Sequence, residues 1–428
     1  MRLPGPRGPA LTRVLEAFQR SPLPTLEQLV RDYGDVVVAE LPTGPMFVLA
    51  HPSAIEHVLI RHADNFLKSQ GSSAGRRLFG GALQMSNGER VKQMRRMLAP
   101  ALSFDRLAAN HTRLILEQTE TVLDTWAPGV MPDLTQSVMD MLAPIFVRMY
   151  FGTEGVATGQ LAQLYAEAIA LLPDSVSGFV PDDQGRRFDE AVYRLDAAIG
   201  EVLQARVRND RGETDFAAQY LRQGLTPGEV RDELVTMMAA SYRTVGMALV
   251  QALRLAAEHP AADAAVAAEA LAAPRDHLDP RALPYTGMLL KESLRLCPPA
   301  GLLTRIAVAA DVIDGWPIPA GASVFLSPWV TQRDARFFPD PLTFRPERWT
   351  RDAERQAGCA YFPFGVGGRS CIGSVMSDVM LRLIVATIAR RYRLEVASAG
   401  RTRDAWPLLM ADGGPRATLH ARTAAGAG

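Results

Sequence analysis

The run at residues 362–373, Phe-Pro-Phe-Gly-Val-Gly-Gly-Arg-Ser-Cys-Ile-Gly, constrains this chain more than any other. Its glycines allow a tight loop, because glycine accepts positive φ without a Cβ clash. Residues 374–391 follow with apolar Val375, Val379, Leu383, Ile384 and Ile388 at helical spacing, which puts Cys371 at a helix N-terminus. That end carries partial positive charge and unpaired N–H groups, both favouring thiolate over thiol. A thiolate held there, with loop amides aimed at the sulfur, suits an axial ligand to iron. A lone cysteine behind glycines is more commonly a buried structural residue, so the rest of the chain must decide between the two.

Composition narrows the field. The chain has 428 residues, 48% hydrophobic and 21% charged, which is ordinary globular chemistry with ample length for a large core. Basic and acidic residues balance at 46 each, so nothing calls for nucleic acid or an anionic membrane as a partner. Three cysteines, Cys297, Cys359 and Cys371, make no disulfide framework and fit a reducing compartment. The Pro/Gly-rich N-terminus has no apolar signal core, and no eighteen uncharged apolar residues run together. A cytoplasmic protein with no membrane span is expected.

Periodicity and punctuation predict mostly helix. Helices are expected over residues 11–32, 52–61, 88–101, 104–126, 134–151, 159–172 and 185–207. Residues 35–40 and 45–50 read as a valine-rich hairpin, and 308–313, 316–318 and 323–326 as short strands. The Gly/Ser-rich stretch 68–84 and residues 208–215 read as a loop and a polar turn. Thr226-Pro227-Gly228-Glu229 starts a long helix, with a threonine cap, proline at the first position and glutamate three on. It runs to about His259, where Pro260 stops it.

Phe364, Gly367, Arg369, Cys371 and Gly373 stand at the offsets of Phe-x-x-Gly-x-Arg-x-Cys-x-Gly, and the chain resembles the cytochrome P450 family. The resemblance spans about residues 20–420. It implies one P450 domain over residues 1–428, mainly α with small β-sheets, with haem b between the long central helix and the cysteine-loop helix. It further implies that Cys371 ligates iron, Phe364 packs near the loop, and Arg369, Arg305 and Arg95 meet the propionates, with Gly367, Gly373 and Ala240 also at the cofactor. Where the family places an aromatic or histidine four residues before the first arginine, this chain has Val91. Gln332 stands where a haem-contacting histidine is usual and is a weak propionate candidate. Glu292, Arg295 and Arg348 match the family's structural ion-pair triad. Residues 68–84 and a lid at 173–183 would cover the substrate chamber.

The long helix departs from the pattern in its middle. The family has Ala/Gly-Gly-x-acid-Thr; here Ala240 and Thr244 match, Ser241 replaces glycine and Arg243 replaces the acid. Thr244 takes the dioxygen-handling role by resemblance, with Arg243 and Ser241 beside it as further catalytic candidates. Arg243 cannot relay protons as a carboxylate does, since arginine stays charged. It is a framework residue pointing away from haem, a chamber anchor for a substrate carboxylate, or a mark of altered chemistry. Met237, Met238, Leu302, Leu303 and Leu409 are candidate substrate contacts.

The implied activity is monooxygenation: dioxygen activation and hydroxylation of a small, mostly apolar substrate, in bacterial secondary metabolism. The rivals are an atypical haem-thiolate reaction (peroxide-driven or non-hydroxylating oxidation, rearrangement or coupling) and a haem-binding sensor without turnover. No Gly-x-Gly-x-x-Gly dinucleotide fingerprint is present. Electrons would therefore come from a separate ferredoxin or flavodoxin with its NAD(P)H-dependent reductase. A monomer is expected.

Overall fold

The structure is a computed structural model. It describes residues 3–68, 73–131, 133–153, 156–172, 182–208, 212–274, 278–396, 402–405, 408–411 and 415–422. Its centre is the helix Pro227–Glu258. Both halves of its capping box form: Glu229 N donates to Thr226 Oγ1 at 3.3 Å, and Thr226 N to Glu229 Oε2 at 3.0 Å. The helix ends before Pro260, as the sequence predicts. Its 32 residues span about 48 Å at 1.5 Å per residue. Most of its positions are buried, as expected of a helix crossing a core.

Around it pack Leu134–Phe151, Pro284–Leu296 and the cysteine-loop helix Ser374–Arg391. Gly246 lets the first of these approach closely, since a Cβ there would collide with the Met139 sulfur. The largest apolar cluster joins these helices. To one side lies a five-stranded sheet in the spatial order Val36–Leu41, Gly44–Leu49, Ser323–Leu326, Leu303–Ala307, Phe66–Leu67. The hairpin registers Val36 opposite Leu49 and Val38 opposite Phe47, and its two faces feed separate apolar clusters. Among the described residues, no helix is long and apolar enough to cross a membrane.

Some boundaries differ from the sequence reading. The expected helix over residues 11–32 is two helices, Pro9–Arg20 and Pro22–Tyr33. They break at Ser21, because Pro22 cannot donate to the preceding turn and disfavours helical geometry before it. The expected loop 68–84 holds a short helix, Ser73–Phe79, and a 3₁₀ turn, Leu83–Met85. Part of that loop (69–72), most of the proposed lid (173–181) and part of the polar turn (209–211) lie outside the described residues. The strand Leu303–Ala307 begins earlier than the expected 308–313, of which Asp311–Ile313 is strand.

A buried polar lattice ties this frame to the cysteine loop. Arg295 is fully buried and donates to Glu292 through Nε (2.9 Å) and Nη2 (2.8 Å). Arg348 adds a 2.9 Å bond to the same carboxylate, which also accepts from Arg345 N and Trp349 Nε1. Burial alone would raise the Glu292 carboxyl, but the Arg295 bonds and charge, with Arg345 N and Arg348, hold it below the usual range. Arg295 Nη1 donates to Gln332 O at 2.8 Å, and Gln332 Nε2 returns bonds to Leu294 O and Arg295 O. Gln332 Oε1 accepts from Phe362 N at 2.9 Å, at the head of the loop. Gln332 is thus a fully buried bridge and lies off the central cavity, which corrects its reading as a propionate candidate.

Glu292→Gln leaves two buried guanidinium groups without an anion. The expected cost is about 3–5 kcal/mol of stability, read from the urea unfolding midpoint. Since the folded carboxyl titrates below its unfolded value, the wild-type advantage is present above the ordinary glutamate range and fades as pH falls through it. A variant that unfolds at the wild-type midpoint at neutral pH would contradict this.

Candidate active site

Between the long helix and the cysteine loop lies a deep cavity lined by residues of both, with Cys371 on one wall and Ala240 and Thr244 on the other. The loop closes through Cys371 N to Phe364 O (2.7 Å) and Gly365 N to Phe362 O (2.9 Å). Gly367 has φ 74°, and a Cβ there would overlap the Leu59 carbonyl, so only glycine lets the loop seat against residues 57–61. Its role is this close approach: Gly367 does not line the cavity, which corrects its placement at the cofactor, whereas Gly373 and Phe364 do line it.

Cys371 precedes the helix Ser374–Arg391 and is open on the cavity side. Burial by the surrounding protein pushes its thiol up, while the Gly373 N–H and the charges of Lys68 and Arg95 pull it down. Burial wins, against the expectation that the helix end alone favours the thiolate. Such a sulfur is a poor free nucleophile. It suits deprotonation by a metal cation that it ligates.

Four cations stand on the same cavity: Lys68, Arg95, Arg305 and Arg369. Arg95 donates to Ser370 O at 2.7 Å, so it braces the residue before the cysteine. Arg369 donates to Leu83 O, Ser86 O and Asn87 Oδ1. Arg305 is only 5% exposed and donates to Thr304 O at 2.8 Å. Burial and Arg369 bring it down to about 10. Lys68 donates to Gln84 Oε1 at 2.9 Å, and burial, with Arg305 and Arg369 beside it, brings it down to about 8. None of the four pairs with a carboxylate among the described residues. Buried cations without an anion are costly. A ligand carrying two carboxylates and a metal at its centre supplies what both walls lack, and the residues fit haem. Lys68 escaped the sequence reading because nothing in residues 68–84 distinguishes it locally; only folding brings it beside Arg305.

On the long helix, positions 240 and 244 share a face, so Ala240 and Thr244 look into the cavity together. The Thr244 hydroxyl turns back on the helix, 2.5 Å from Ala240 O and 3.2 Å from Ser241 O. Its proton is held there, leaving the oxygen as an acceptor beside the cavity. Ser241 also borders the cavity, but its hydroxyl donates to Met237 O at 2.6 Å and pairs with Tyr150 Oη at 2.9 Å. Its hydroxyl is therefore engaged in this helix-to-helix contact, where the sequence reading gave Ser241 a catalytic part. Tyr150, buried on the helix Leu134–Phe151, was not anticipated.

Arg243 is exposed and does not line the cavity; its charge is felt instead by Tyr165 and Tyr242. One residue is a rotation of about 100° on a helix, which turns position 243 off the face that Thr244 occupies. The catalytic and carboxylate-anchoring readings of Arg243 are corrected on that ground. The same geometry separates the apolar candidates. Met237 and Leu303 line the cavity. Met238 belongs to the helical core, and Leu302 packs with Leu23, Leu26 and Val48 beneath the sheet. Leu409 sits in the strand Leu408–Ala411, but its side chain lies outside the described residues.

Known proteins agree with this architecture. A family model described as Cytochrome P450 matches residues 3–413. The chain is 30% identical over 406 residues to cyclooctat-9-en-7-ol 5-monooxygenase of Streptomyces melanosporofaciens, covering 88% of this chain and 86% of that one. It is 28% identical over 421 residues to cyclooctatin synthase of the same species, covering 92% and 90%. Pentalenene oxygenase of Streptomyces avermitilis is 25% identical over 402 residues, covering 89% and 88%. Among solved structures, the cytochrome P450DA heme domain superposes with a TM-score of 0.87 at 18% identity, over 98% of this chain and 97% of that one. Retinoic acid bound cyanobacterial CYP120A1 gives 0.82 at 20% identity, over 92% and 93%. With Cys371 set opposite Ala240 and Thr244, and a family match over nearly its whole length, this chain belongs to the cytochrome P450 family and is a haem-dependent monooxygenase of that family.

Proposed function

We propose that the protein hydroxylates, or otherwise oxygenates, an apolar polycyclic terpenoid, with haem b held by Cys371. The observation that carries the reading is Cys371 facing Ala240 and Thr244 across one cavity, with Met237, Leu83 and Leu303 on its walls. Haem held by the Cys371 thiolate would supply dioxygen activation and oxygen transfer to carbon. Arg305, Arg369, Arg95 and Lys68 would hold its carboxylates. No Cys-x-x-Cys-His run exists to attach it covalently, which supports haem b. Thr244 would hold a proton-bearing group on the wall opposite Cys371 through its hydroxyl oxygen, and Met237, Leu83 and Leu303 would keep bulk water from that space. Three Streptomyces relatives are named for cyclooctatin and pentalenene chemistry, and this supports the substrate class. Electrons would arrive from a separate ferredoxin or flavodoxin and its reductase, and such carriers fit a cytoplasmic setting.

The direct test supplies a ferredoxin, its reductase and NADPH with a panel of terpene hydrocarbons and alcohols under ¹⁸O₂. A product carrying one ¹⁸O atom is expected; oxygenated products without the label, or turnover driven by peroxide alone, would overturn the reading.

Two further outcomes follow from the cavity's charges. Arg305→Leu should lower the haem-to-protein ratio several-fold, and Lys68→Gln should lower it less, because Arg305 is the more deeply buried of the two. Equal haem content in both variants and wild type would remove the carboxylate-holding role. Arg243→Ala should leave haem content and the spectral response to small apolar acids unchanged, and a loss of acid binding would restore it to the chamber.

A further inference from the structure

One carboxyl group on the cavity wall has no part in the chemistry above. Glu233 stands on the long helix one turn before Met237 and two turns before Ala240 and Ser241, on the face that lines the cavity. It is 2% exposed. Its one hydrogen bond among the described residues comes from Leu83 N, which donates to Oε1 at 2.6 Å. Among the described residues no cation pairs with it: Arg90 goes to Glu229, and Arg231 to Asp196 and Asp232. Thr236, on the same wall and 7% exposed, has a buried hydroxyl with no partner among the described residues.

Anchoring Leu83 needs a single acceptor, which a glutamine supplies without a buried acid. A second carboxyl oxygen and an unpaired hydroxyl, both buried, carry a desolvation cost that a bound polar group would relieve. Burial raises the Glu233 carboxyl to about 7, against the pull of the Leu83 N–H, so near neutrality it both donates and accepts. An alcohol does the same. A carboxylate substrate would instead meet the charge of Glu233 itself. Seven residues of helix separate Glu233 from Ala240, about 10 Å along the axis.

We propose that Glu233, with Thr236 beside it, recognises a hydroxyl group already present on the substrate, so that oxidation falls on a carbon about 10 Å away. This deepens the monooxygenase reading and rests on it. The enzyme then acts after a reaction that has installed that oxygen, either an earlier hydroxylation or a cyclisation quenched by water.

The test is a titration of the ferric spin state with hydrocarbon and alcohol pairs: abietadiene with abietadienol, and dodecane with dodecanol. It uses wild type, Glu233→Leu and Glu233→Gln, each compared at equal haem content. Wild type should bind the alcohol of a pair at least tenfold more tightly than the hydrocarbon. Glu233→Leu should lose that preference, and Glu233→Gln, which keeps an acceptor for Leu83 N, should retain most of it. Equal binding of alcohol and hydrocarbon by wild type, or a preference that survives in Glu233→Leu, would overturn the proposal. If only the dodecyl pair shifts the spin state, the terpenoid reading falls, while the alcohol preference within that pair still decides the role of Glu233.

Discussion

The site depends on one buried carboxylate. Glu292 gathers Arg295, Arg348, Arg345 N and Trp349 Nε1, and through Arg295 it fixes Gln332. Gln332 then holds Phe362, the first anchored residue of the cysteine loop. The loop's own bonds carry this rigidity on to Cys371 N. A ligand atom for a metal has to be placed by groups that do not themselves move, and here the lattice sits wholly behind the cavity. Its energetic justification lies in completeness, since a buried pair contributes little unless every charge and lone pair is satisfied.

Across the cavity the balance is reversed. The frame is satisfied, whereas the cavity walls are left wanting. Among the described residues, four cations pair with no carboxylate, and burial raises the Cys371 thiol despite the nearby Lys68 and Arg95. Each deficit is a cost in the protein alone and a gain when a metal-bearing dicarboxylate occupies the space. The same logic extends to Glu233 and Thr236, whose unused polar atoms lie on the wall of the same cavity.

Much of the frame was legible in the sequence because its signals are local. The Thr226–Glu229 capping box, the stop at Pro260 and the span Ser374–Arg391 all stand where composition and periodicity put them. The side chains of Ala240 and Thr244 could be aligned by helical spacing alone. The errors also have local causes. The break at Ser21 was passed over because the apolar pattern continues across it. Met238 and Leu302, expected as substrate contacts, each stand one position from a residue that does line the cavity, and a shift of one position turns a side chain to another face.

The sequence by itself determined where helices start and stop, which loop carries the cysteine, and which residues can share a helical face. Those properties depend on groups within a few residues of each other, through caps, glycine torsions and periodicity. The tertiary structure alone decided that Lys68 joins Arg305 and that Gln332 braces Phe362 instead of facing the cavity. It also decided that Tyr150 meets Ser241 and that Glu233 is sealed on a chamber wall. Each of these rests on segments dozens to hundreds of residues apart, where burial and charge compete, and no local pattern in the chain records which of the two prevails.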